Sequence, residues 1–177
     1  WRKATNYQAM GRDWEAYWGF MGLVTDYPKA DKDRRESYMY ATFVQAEKIG
    51  KRDAAREIAD RYLQNPEFEK YAYEVGIRLA AIYKDLAEKS KLKSETAETP
   101  PEAEFFRSES NASFDEMWLL CTKLIDQKPK DKLANHVAFM MGSGWIARGE
   151  EKFPELIETF NKLIEKDYGD EKPDMLQ

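Results

Sequence analysis

The sequence predicts an all-helical chain built as an array of helix-turn-helix repeats, and two observations predict it. Apolar residues recur at spacings of three and four, the period of a helix with one buried face, and no long stretch alternates as a strand does. Prolines fall where such helices should end, since proline cannot continue a helix. Pro28 and Pro66 are 38 residues apart, Pro66 and Pro129 are 63 apart, and Tyr168 lies 39 residues further on. A period near 38, interrupted once, is typical of a helical repeat array.

The second helix of each predicted repeat carries one apolar stripe, which aligns when residues are counted back from each stop. Twelve residues before the stop lie Ala16, Ala54, Met117 and Leu156, and eight before it lie Phe20, Ile58, Cys121 and Phe160. Leu119, Leu124 and Ile125 add to the apolar set of the third of these helices. Such a stripe predicts that each helix packs on a partner helix.

A first helix precedes each of these, at about 35–48, 69–87 and 133–147, whereas only residues 1–10 precede Gly11. Gly50 and Gly149 follow two of these helices, as glycine often does at a helix end. The predicted repeats are therefore about 1–28, 34–66, 69–129 and 132–168, which gives seven or eight antiparallel helices in one domain over 1–177.

The third repeat is longer than the others by a segment at 89–113, which is polar and contains Pro100 and Pro101. This composition predicts a long loop, and long loops in compact domains are often functional. Phe105 and Phe106 would anchor the loop either on the protein's own surface or on a neighbour.

Composition excludes several classes of function. The 28 Lys and Arg residues are scattered among 33 acidic ones, for a net charge of −5, so no basic stripe is available for nucleic acid. No apolar run approaches the roughly 18 residues of a membrane span. The chain begins at Trp1 rather than Met, so a signal peptide, a transit peptide or a membrane-attaching lipid anchor upstream are all open, and the compartment is not assigned.

No catalytic residue, metal ligand set or cofactor is predicted. Residues 142–147 read GxGxxA, but this glycine pattern binds a dinucleotide only directly after a strand, so close helix crossing is the preferred interpretation. His136 is the single histidine and has no second ligand by motif. The single cysteine, Cys121, lies on an apolar stripe and is interpreted as core.

The spacing of small and bulky residues resembles the tetratricopeptide-repeat (TPR) superfamily. The matching fragments are Gly11-x4-Ala16-x3-Phe20-x7-Pro28, Ala54-x3-Ile58-x7-Pro66, Gly142-x2-Trp145-x3-Gly149, and Gly76 at a helix crossing. The resemblance implies a right-handed superhelix of helical hairpins, about four repeats with one insertion, whose first helices line a groove that binds a protein or peptide partner.

Register within that resemblance places nine residues on the groove. They are Ser37, Tyr40, Val44 and Lys48 from repeat two, Lys70, Tyr73 and Ile77 from repeat three, and His136 and Phe139 from repeat four. Aromatic side chains dominate binding hot spots, so Tyr40, Tyr73 and Phe139 are the expected anchors. The alternative, that these aromatic residues pack between repeats, stays open because aromatics serve core and interface alike.

Function follows from the resemblance as an expectation. The resemblance implies that the protein is a non-enzymatic scaffold or adaptor and a subunit of a larger assembly. The segment from Leu23 to Ala30, with Tyr27-Pro28, is also similar to BamD-like and YbgF-like bacterial envelope proteins, which gives an envelope assembly component as an alternative. The compartments favoured are the bacterial periplasm or envelope, or else an organelle. The rival from another class is a helical enzyme or small-ligand-binding domain, which would require convergent polar side chains in a pocket.

Overall fold

The computed structural model describes residues 1–127 and 132–149, together with 153, 154, 157, 158, 160 and 161. Within these residues every regular element is helical, which confirms the all-α prediction. The helices are α1 (Arg2–Ala9), α2 (Asp13–Asp26), α3 (Lys32–Lys48), α4 (Arg52–Gln64), α5 (Ala72–Thr96), α6 (Pro100–Gln127) and α7 (Lys132–Arg148). Among the residues searched, none of the helices has the length and apolar character to cross a membrane. The predicted stops at Pro129 and Tyr168, and stripe residue Leu156, lie outside the described residues.

The chain divides into a first compact unit, Trp1–Leu79, and a second that begins at Ala80. In the first unit consecutive helices pack in pairs, α1 on α2, α2 on α3 and α3 on α4. In the second unit α6 packs on α7. One domain over 1–177, and the four repeat boundaries, stay predictions beside this division.

The first two hairpins turn in the same way. Gly11 and Gly50 adopt left-handed φ angles of 70° and 74°, which glycine adopts without the steric cost of a side chain. The amide after each glycine donates to the carbonyl five residues earlier, Arg12 to Tyr7 at 2.9 Å and Lys51 to Ala46 at 2.9 Å. This is the Schellman helix end. Two equal turns 39 residues apart give the first two hairpins a common local geometry.

The predicted stripes lie on buried faces. Ala16, Phe20, Ile58, Met117, Cys121, Leu124 and Ile125 are all buried, and Phe160 is half-buried. Two details differ. Ala54 is half-buried because its neighbour Ala55 takes the fully buried position, and Leu119 is 51% exposed because it lies on the opposite side of α6 from Met117 and Cys121.

The prediction of a long loop at 89–113 is wrong. α5 continues to Thr96 and α6 begins at Pro100, so only three residues connect two long helices. Pro100 and Pro101 occupy the first turn of α6, where a missing amide hydrogen costs nothing. The Ser94 hydroxyl donates to the Ala103 carbonyl at 2.8 Å across this connection. The polar residues of 89–113 lie mostly on the solvent-facing sides of α5 and α6.

The glycines of the GxGxxA pattern lie within α7. A Cβ at Gly144 would lie 2.5 Å from Met117 Cε of α6, and one at Gly142 would lie 2.7 Å from the Phe160 ring. Both glycines thus allow close helix packing, which confirms that interpretation over a nucleotide-binding turn.

Two glycines of α2 make a matched test of packing in the first unit. A Cβ at Gly19 would lie 2.9 Å from Ala4 Cβ and 3.3 Å from Ala4 Cα, so Gly19→Ala must push α1 outward. We expect a loss of about 1–3 kcal/mol in the free energy of unfolding, measured by denaturant titration. At Gly22 the nearest atom is a flexible Asp26 oxygen at 3.8 Å, so Gly22→Ala should gain up to about 1 kcal/mol. Equal effects at both positions would contradict the packing of α1 on Gly19.

Candidate functional site

The predicted groove residue Tyr40 makes close contacts between α3 and the start of α5. Its ring stacks on Tyr71 with centroids 4.0 Å apart, and its hydroxyl donates to Glu74 Oε1 at 2.7 Å. Burial, and then the Glu74 hydrogen bond, raise the pKa of Tyr40 to about 12. Arg78 joins the same network, donating to Glu74 at 2.7 Å and to Glu47 at 3.0 Å. Tyr40 therefore packs between helices, while partner binding by it stays a prediction.

The other groove residues of the first unit are in varied surroundings. Val44, Tyr73 and Ile77 are half-buried. Lys48 is exposed and pairs with Asp13 at 2.8 Å, and Lys70 places its ammonium 4.9 Å from the Tyr71 ring. Ser37 lines a 500 Å³ cavity with Trp1, Asp33, Arg34 and Tyr38. Of the predicted residues in this unit, Tyr40 and Lys70 both contact the Tyr71 ring.

A buried carboxylate that the sequence did not single out supports this region. Glu36 of α3 is 2% exposed, and it accepts hydrogen bonds from the Tyr62 hydroxyl and, at 2.6 Å, from the Lys70 amide. The Tyr62 hydroxyl in turn accepts from the Tyr71 amide at 3.1 Å. Burial, and then the Glu36 hydrogen bond, raise the pKa of Tyr62. This network joins α3, α4 and the residues before α5.

The second unit places its predicted residues at the surface. His136 and Phe139 lie on α7, and Phe139 is 73% exposed. Ile146, seven residues on and 59% exposed, continues the same line along the helix, while the opposite side is buried. On α6, Phe105 is 58% exposed and meets Phe106 edge-on at 5.4 Å, and Lys93 lies 5.1 Å from the Phe106 ring. Phe105 and Phe106 thus lie on a helix that packs in this unit and not on a loop.

The most exposed pair of neighbouring aromatic side chains in the first unit belongs to α2. Trp14 and Trp18, one helical turn apart, are 51% and 58% exposed. The Lys51 ammonium lies 5.1 Å from the Trp14 ring and 5.3 Å from the Trp18 ring, within cation–π range of both. No carboxylate of a described residue pairs with that ammonium. We call Trp14, Trp18 and Lys51 the tryptophan surface.

Sequence reasoning missed the tryptophan surface, although a signal was available. Trp14 and Trp18 are four residues apart and lie off the buried stripe that runs through Ala16 and Phe20. Large aromatic residues at helical spacing on the face away from the core are candidates for an interface. The contribution of Lys51, from the turn before α4, depends on tertiary structure.

Potential metal ligands and the single cysteine can be placed within the described residues. Among them no group of three or more His, Cys, Asp or Glu side chains is placed to hold a metal ion. Cys121 is fully buried, and burial raises the pKa of its thiol to about 12. Comparison with known proteins adds no family: the chain matches no protein-family model, no curated protein and no solved structure.

Proposed function

We propose that this protein is a non-enzymatic protein-binding scaffold, a subunit of a larger assembly, and that the tryptophan surface is its principal contact. The observation that carries the proposal is the pair of tryptophans more than half exposed around one ammonium group. Tryptophan is the residue most enriched at binding hot spots, and neighbouring exposed apolar side chains mark interaction sites.

The proposal includes a helical-hairpin solenoid of the TPR type. Its support is the equal Schellman turns at Gly11 and Gly50, and the pairwise packing of consecutive helices in the first unit. Repeats of this kind bury their apolar faces against neighbours and leave other faces for partners. On this proposal the two tryptophans lie on the second helix of the first hairpin, Lys51 comes from the turn of the next hairpin, and Tyr40 serves packing between repeats.

Charge and shape define the partner's chemistry. Two indole rings offer a flat apolar area, and Lys51 adds a positive charge with no carboxylate partner among the described residues. The complementary partner is a protein segment with a large apolar side chain beside an aspartate or glutamate. Such a segment would bury the rings and pair with the ammonium, where desolvation strengthens both interactions.

The test begins with capture of the native complex and identification of the partner by mass spectrometry. Affinity of the purified partner is then measured for wild type, Trp14→Ala and Trp18→Ala by calorimetry. We expect each tryptophan variant to weaken binding by about 30-fold or more, the loss expected for a hot-spot side chain. Thermal stability should be nearly unchanged, because both rings are largely outside the core.

Tyr27→Ala is the matched control, since Tyr27 is 58% exposed, as Trp18 is, and follows the same helix. It should leave affinity unchanged. Wild-type affinity in both tryptophan variants would overturn the proposed contact. A protein that is recovered alone at physiological salt would overturn the assembly.

A further inference from the structure

A polar pocket of about 520 Å³ lies in the second unit, between α5, α6 and the end of α7. Its lining comprises Lys91, Ser94, Glu95, Arg107, Ser110, Asn111, Arg148 and Gly149. Pockets of roughly 300–1,000 Å³ are the size that holds small organic ligands. Unlike in most such sites, the described part of the lining has no large apolar side chain, so polar groups supply recognition. We call it the cationic pocket.

Charge is the distinctive property of the cationic pocket. Among the described residues of the lining, Lys91, Arg107 and Arg148 face one carboxylate, Glu95, in a chain whose net charge is −5. Arg107 pairs with Glu104 at 3.1 Å, but both side chains are more than 60% exposed, so the pair is weak. Arg148 pairs with Asp115, which is not part of the lining. Arg148 is therefore neutralised, and Lys91 and the weakly paired Arg107 remain as the cations that face Glu95 among the described lining residues.

Lys91 is the cation of this pocket whose charge is not balanced by an ion pair with a described residue. It is half-buried, and its ammonium donates to the Ala147 carbonyl, a neutral acceptor near the end of α7. No carboxylate among the described residues pairs with it. The carboxyl end of α7 carries the equivalent of roughly half a negative elementary charge, so it offsets part of the positive charge of Lys91. Two further N–H groups of Lys91, with those of Arg107 and the Asn111 amide, remain for a ligand.

We propose that the cationic pocket binds a small organic oxyanion, a phosphate ester or a polycarboxylate. The Ser94 and Ser110 hydroxyls already donate to the Ala103 and Ala87 carbonyls, so recognition falls to the cations and Asn111. Ionised donors and acceptors form the strongest hydrogen bonds, and the arginine fork matches both carboxylate and phosphate. This site does not depend on the partner binding proposed above.

Backbone-amide NMR of the full chain tests the site, with inorganic phosphate and citrate as the two probes. Sodium chloride at matched ionic strength is the reference for screening. We expect saturable shifts centred on Lys91, Asn111 and Gly149 at millimolar probe. Lys91→Gln and Arg107→Gln should each weaken binding by about tenfold, the loss expected for one charge-assisted contact. Saturation by phosphate alone identifies a phosphate ester, and saturation by citrate alone identifies a polycarboxylate.

Lys93→Gln is the matched control, because Lys93 is an exposed lysine of the same helix that does not line the pocket. Its affinity should equal that of wild type. If Lys91→Gln disturbs the fold, Arg107→Gln carries the test, since that side chain is 63% exposed. The absence of saturation with either probe, or an equal loss in Lys93→Gln, would overturn the proposal.

Discussion

Replacing Tyr62 with alanine is expected to lower the free energy of unfolding by about 3–5 kcal/mol, the usual cost of deleting a large core side chain. Tyr62 is fully buried in α4, and its ring lies 5.2 Å from that of Phe68. Its hydroxyl donates to the buried Glu36 and accepts from the Tyr71 amide. Alanine would therefore leave a cavity and remove a hydrogen-bond donor from a buried carboxylate. Denaturant titration followed by circular dichroism measures the loss.

Tyr62→Phe separates the ring from the hydroxyl. Phenylalanine keeps the packing but leaves Glu36 with the Lys70 amide as its remaining donor. The expected cost is about 1–3 kcal/mol, the penalty for an unsatisfied buried polar group. A phenylalanine variant as unstable as the alanine variant would assign the whole effect to the hydroxyl and contradict the packing of the ring.

The Cys121 thiol should react on the order of 1,000-fold more slowly in the folded protein than in the denatured chain near pH 8. Burial raises its pKa from 9.0 to about 12, so the reactive thiolate is correspondingly rare. Because the folded state holds the proton more tightly, the thiol's contribution to stability is complete below pH 9. It is lost as pH rises through about 12. Absorbance of a thiol-reactive dye, with and without denaturant, measures the two rates.

The Cys121→Ala variant gives the background absorbance of the dye assay, because the chain has one cysteine and the variant therefore has no thiol. Reaction of the native protein at the rate of the denatured chain would contradict a buried thiol and, with it, the placement of Cys121 on the buried face of α6.

The sequence was sufficient to predict most of the helices outside 89–113 and most of their buried faces. The period of apolar residues depends only on the local geometry of a helix, so Phe20, Ile58 and Met117 could be placed without tertiary information. The short connection between α5 and α6 could not be predicted from the sequence in this way. A polar helix and a polar loop have similar composition, and Pro100 and Pro101 suit a turn as well as the first turn of a helix.

The candidate sites depend on contacts between residues distant in sequence. Lys51 reaches the indoles of Trp14 and Trp18 because the α3–α4 turn lies beside α2. Glu36 accepts from an amide 34 residues away. The periodicity of apolar residues does not predict contacts between residues so far apart in sequence. The groove residues were therefore assigned by resemblance, and the tryptophan surface became apparent only in the folded structure.

Photo-cross-linking from position 18 is the most direct test of the proposed scaffold function. Benzoylphenylalanine replaces Trp18, Phe139 or Arg56 in otherwise wild-type protein, expressed in its own cells. Phe139 samples the predicted groove, and Arg56 samples an exposed part of α4. We predict one discrete protein adduct from position 18 and none from position 56. An adduct from position 139 without one from position 18, or no protein adduct from any position, would contradict binding through the tryptophan surface.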